Sequence, residues 1–85
     1  MISFLIYTSS TTSRIIVMVD EYVQSGSYFL KSLQTSPPYQ ESEEVIYNDN
    51  VSYYFTVDTS GDIYIHLNVD VPEYISDTFQ WDFTH

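Results

Sequence analysis

Acid–base chemistry in this chain would have to start at His66, the one histidine inside a patterned segment; the other, His85, is the last residue of the sequence. His66 alternates with Tyr64 and Asn68 along the polar side of an apolar run. An imidazole can accept or donate a proton near neutral pH, and Asp and Tyr neighbours could assist it. Nucleophilic catalysis asks for more: a nucleophile, a base and an orienting group within hydrogen-bond reach. Serines and aspartates abound, yet no serine stands in a G-x-S-x-G turn. His66 therefore reads as a surface imidazole in a cross-strand pair. No catalytic residue is assigned, and the chain is not expected to be an enzyme.

Metal chemistry fares similarly. Two histidines and no cysteine exclude the usual structural zinc sets. The turns Asp58-Thr59-Ser60-Gly61-Asp62 and Asn48-Asp49-Asn50 offer the oxygens that calcium prefers. Neither matches the twelve-residue loop with glycine at six and glutamate at twelve, and hairpin turns want Asp, Asn and Gly for backbone reasons alone. Both glycines stand singly, so there is no phosphate cradle. Neither a metal nor a cofactor is expected.

What remains is charge. Residues 41–85 hold ten acidic side chains and no Lys or Arg, whereas residues 1–40 hold Asp20 and Glu21 against Arg14 and Lys31. The formal charge of −10 thus lies wholly in the C-terminal half. Solubility asks a small domain for a magnitude of about 2–8, and self-repulsion beyond that costs stability. Alanine is absent while Ile, Tyr, Asn, Asp, Ser and Thr are plentiful, as A/T-rich coding would give; the same bias would favour lysine, yet there is one. The charge points to a basic partner. Direct nucleic-acid binding is disfavoured, because it relies on Lys and Arg neutralising phosphates.

The elements must position these groups. Eighty-five residues make a single domain, 1–85, which buries only about 60–65% of its unfolded surface. Nine Tyr, five Phe and Trp81 supply core volume, and this aromatic content argues against disorder. Ile2, Phe4 and Ile6 mark a strand over 2–8. The β-branched run 14–19 marks a second strand, and the two should form a hairpin. Tyr22, Val23, Phe29, Leu30 and Leu33 approximate a helical stripe within 20–35, starting near Ser25 or Ser27 and ending at Pro37-Pro38, with a loop over 34–44. A short strand over 44–48 leads into a hairpin of 51–57 and 63–69, each strand with one apolar and one polar face. Residues 72–78 suit a helical turn, and Phe79, Trp81 and Phe83 an edge strand. The expected fold class is α+β: a small, mostly antiparallel sheet of four to five strands with one helix on a face, in the order strand, strand, helix, strand, strand. Nothing resembles a signal peptide and no apolar run approaches the ~18–20 residues of a spanning helix, so a cytoplasmic protein with no membrane contact is expected. Asn50-Val51-Ser52 matches the glycosylation triplet by chance.

Size, charge, lack of catalytic groups and a single-domain pattern together resemble the class of small acidic phage proteins that block host nucleic-acid enzymes, such as anti-CRISPR and anti-restriction inhibitors and the uracil-DNA glycosylase inhibitor. The resemblance carries no shared motif, so no residue role transfers. It implies a non-catalytic inhibitor occupying the basic groove of a host defence or nucleic-acid-processing protein, with a CRISPR effector as one case. The residues assigned to the partner are Glu41, Glu43, Glu44, Asp49, Asp58, Asp62, Asp70, Glu73, Asp77 and Asp82 for charge, with Tyr54, Tyr64, Tyr74 and Trp81 as anchors. The alternative is a small viral structural or assembly protein that self-associates through edge strands. A homodimer is compatible with either.

Overall fold

The computed structural model describes residues 1–32 and 39–84 and is all-β: seven strands in two antiparallel sheets, with no helix among the described residues. The strands are β1 (Ile2–Thr8), β2 (Thr12–Val23), β3 (Gly26–Ser32), β4 (Val45–Asn48), β5 (Val51–Val57), β6 (Ile63–Val69) and β7 (Glu73–Thr84). They form a three-stranded sheet in the order β1-β2-β7 and a four-stranded sheet in the order β3-β6-β5-β4. The chain divides into two compact units, Met1–Val23 with Glu73–His85, and Gln24–Pro72. Among the described residues no helix is long and apolar enough to cross a membrane.

The expected α+β class is therefore corrected. The helix proposed for 20–35 is replaced by the end of β2 and by β3. The physical reason lies in the alternation. Ile15, Val17 and Val19 are buried, and the same period of two runs on through Glu21 to Val23. Adjacent bulky pairs such as Tyr22-Val23 and Phe29-Leu30, which resemble a helical stripe, point to opposite faces of strands. Tyr, Phe and Val also favour pleated surfaces. Gly26 opens β3 at φ 149°, a conformation that side-chain-bearing residues rarely adopt. Leu33 and the Pro37-Pro38 stop lie outside the described residues, as do residues 34–38 of the 34–44 loop. The helical turn over 72–78 is corrected as well, since β7 is one strand of twelve residues.

In the first sheet β2 is central, pairing Leu5 with Ile16 on one side and Ile15 with Trp81 on the other. One face carries the buried Ser13, Ile15, Val17, Val19, Val23 and Ile75. In the second sheet the buried face carries Val51, Tyr53 and Phe55 of β5 with Ile63, Ile65, Leu67 and Val69 of β6. The turn between β5 and β6 is closed by Asp58: its Oδ1 accepts from the amides of Ser60 (2.9 Å) and Asp62 (3.0 Å), its carbonyl accepts from the amide of Gly61 (3.1 Å), and Gly61 takes φ 87°. This turn fixes the register that places His66 opposite Tyr54.

Candidate functional site: an aromatic face with an acidic rim

Strand alternation sends Tyr54 and Thr56 of β5 and Tyr64, His66 and Asn68 of β6 to the face of the second sheet opposite its apolar side, and all five are half-buried there. The β3 register adds Phe29 opposite His66 and Lys31 opposite Tyr64. The rings meet. Tyr54 and His66 stack with centroids 4.5 Å apart and planes within 6°. Phe29 lies 6.1 Å from His66 and 6.2 Å from Tyr64, edge-on to the latter, while remaining 65% exposed. The Oγ1 of Thr56 is 2.9 Å from Nε2 of His66. Lys31 reaches over the Tyr64 ring at 5.7 Å and pairs with Asp62 at 3.3 Å, so the face already seats one cation on an aromatic ring beside a carboxylate.

His66 is held toward its neutral form. Burial among these rings lowers its pKa, and the charge of Glu41 opposes that shift more weakly. Glu41 is brought near because Ser42 docks on β5: its amide donates to the carbonyl of Phe55 (3.1 Å) and its Oγ accepts from the Phe55 amide (2.8 Å). A histidine whose folded-state pKa is depressed leaves the unfolded chain binding more protons just below its ordinary value of 6.5, so stability falls as pH falls through that window. An NMR titration should place the His66 midpoint below 6.5. The loss of stability between about pH 7 and pH 5 should shrink in His66→Gln; a midpoint at or above the ordinary value would contradict the burial argument.

The acids assigned from sequence divide into several groups. Glu41, Glu43 and Glu44 are exposed, and Glu44 accepts a hydrogen bond from the Ser52 hydroxyl at 2.8 Å. Glu44, Asp49 and Asp70 line an open cleft of about 510 Å³ with Asn48, Asn50, Ser52 and Asn68. Asp58 is engaged in its turn, and Asp62 is paired with Lys31. Asp82 pairs with Arg14 at 2.8 Å, a contact that lowers the Asp82 pKa and raises that of Arg14, first through the hydrogen bond and then through the opposite charge. Asp82, Glu73 and Asp77 sit on β7 in the first unit. Among the described residues no group of three or more His, Cys, Asp or Glu could hold a metal.

The anchors divide too. Tyr54 and Tyr64 share the face just described. Tyr74 is 57% exposed on β7, where its hydroxyl bonds to Asp20 and its pKa is raised by that contact. Trp81 packs edge-on against Phe79 at 5.5 Å on the opposite face of β7. Phe29 and Thr56 are the contributors that sequence reasoning missed. The signal for Phe29 was its spacing of two from Ser27 and Lys31, which sets all three on one strand face, a period hidden by the helical reading. Comparison of the chain with protein families, curated proteins and solved structures gives no match, so the reading of this face rests on its own geometry.

Proposed function

We propose that the chain is a non-catalytic acidic inhibitor that acts in the cytoplasm of a host cell. It occupies the basic nucleic-acid-binding groove of a defence or nucleic-acid-processing protein, a CRISPR effector being the concrete case, by presenting carboxylates where phosphates would lie. The observation that carries this reading is the placement of its cations: Arg14 and Lys31, the only Lys or Arg side chains, are each tied to a carboxylate of the same unit. With both cations paired, a formal charge of −10 remains that no Lys or Arg of the chain offsets. In the second unit seven of the twelve acids accompany an aromatic face suited to stacking against guanidinium groups, with Glu41 close to His66 and Asp62 beside Tyr64. His66 is engaged by Thr56 and Tyr54 within the sheet, which supports a binding rather than a catalytic role.

The test is capture from a host lysate at low and high salt, followed by competition with DNA or RNA. A nucleic-acid-binding protein should be retained at ~0.1 M salt, where charge is felt over about 10 Å, and lost near ~1 M, where the range falls to about 3 Å. Free nucleic acid should displace it. Capture that ignores salt, or that nucleic acid does not compete, would rule out mimicry.

A further inference from the structure

Each sheet has two edge strands, and three of the four edges carry a recognised defence against pairing with another strand. β4 is only four residues long and its register slips between Ile46 and Asn48. β3 carries Lys31. β7 carries Glu73, Asp77 and Asp82. β1, Ile2-Ser3-Phe4-Leu5-Ile6-Tyr7-Thr8, has seven residues with no charge, proline or glycine, and it pairs with β2 in unbroken register. Among the described residues its other edge has no strand beside it.

The surface beside this edge exposes large apolar side chains. Leu5 is 42% exposed and its cross-strand neighbour is Ile16; Met18 and Tyr7 are exposed on the same face. An open groove of about 600 Å³, lined by Tyr7, Thr8, Ser9, Thr12, Arg14 and Ile16, adjoins it at the hairpin end. Apart from Arg14, neutralised by Asp82, residues 1–19 hold no charged side chain.

We infer that β1 is a self-association edge: a second copy of this chain adds its own β1 antiparallel, joining two three-stranded sheets into one of six strands. A second copy suits this edge because of charge. Two chains of formal charge −10 repel unless their acids stay apart. Across a β1–β1 junction the acidic β7 strands are five strand spacings apart, about 24 Å, well beyond the roughly 8 Å screening length at physiological salt. A two-fold pairing of identical edges closes on itself and stops at a dimer.

The experiment is sedimentation equilibrium across protein concentration and salt. The wild-type chain should reach twice its 9.9 kDa mass, with association strengthened by salt, opposite to the salt response of the basic-partner complex. Leu5→Lys should raise the dimer dissociation constant by about tenfold or more, and Ser3→Lys on the same face should act in the same direction if the first variant misfolds by near-UV circular dichroism. Both changes reduce the net charge, so a loss of association must be local. Ser27→Lys on β3 is the charge-matched control and should remain dimeric. A monomer under all conditions, or a dimer indifferent to Lys at both positions, overturns the inference without touching the basic-partner reading.

Discussion

Replacing Glu41, Glu43 and Glu44 together by lysine is expected to slow association with the basic partner by about 10- to 1,000-fold at low salt, with the fold intact. The three carboxylates are exposed and their side chains hold little of the structure together: Glu44 accepts one hydroxyl, and the docking of this segment on β5 runs through Ser42. Three reversals of two units each also remove six of the ten net negative charges, so net charge alone could account for some loss. The control is a matched reversal of Asp20, Glu21 and Glu73 in the first unit, which changes net charge equally. Fixed-angle stopped-flow or surface-binding kinetics should show the larger loss for the first triple, because it borders the Tyr54–His66 face, and the loss should lie in the on-rate. Equal losses would mean that total charge, and not this rim, drives encounter; no loss in either would remove the mimicry reading.

The charge that motivates this test was legible in the sequence, because acids need no fold to be counted. The two hairpins were legible for related reasons: 51–57 and 63–69 show the period-two alternation that one buried face imposes, Ile2, Phe4 and Ile6 recur at the same spacing in 2–8, and 14–19 is a β-branched run suited to a central strand. Two segments hid their alternation. In β7 the face of Ile75, Phe79, Trp81 and Phe83 also bears Glu73 and Asp77, so apolar and acidic residues share a side and the period is obscured. In β3 the bulky residues Tyr28, Phe29 and Leu30 fall on both faces, and with Gly26 they imitate a weak helix. The same ambiguity extends to the site. Phe29 could not be placed beside His66 without β3 as a neighbour of β6. Nor could Tyr74 and Trp81 be separated from Tyr54 and Tyr64, since which anchors share a face depends on register and sheet membership.

The acidic rim and the aromatic face are only as well placed as the sheet beneath them, and Phe55 is the side chain on which that sheet most depends. It is fully buried, sits opposite Ile65, and continues through Ile65 to Leu30 in a row across three strands. Phe55→Ala removes a ring that no polar contact would replace, and truncations of this kind cost about 3–5 kcal/mol. A chain of 85 residues has a total stability of about 4–13 kcal/mol at 0.05–0.15 per residue. The substitution should therefore leave the protein marginally folded, each kcal/mol lowering Tm by about 4–8 °C in a domain of this size. The hydrogen bonds that the Phe55 amide and carbonyl make to Ser42 survive the change, so the loss measures packing and not the docking of the acidic segment. Phe29→Ala supplies the contrast: at 65% exposure it should shift stability by no more than about 0.5 kcal/mol while weakening partner binding. Urea denaturation of both variants separates the two roles. If Phe55→Ala stays within about 1 kcal/mol of the parent, the common value for an ordinary substitution, the buried row is not what holds this face in place; if Phe29→Ala unfolds the sheet, its ring is a packing element and not a contact for a partner.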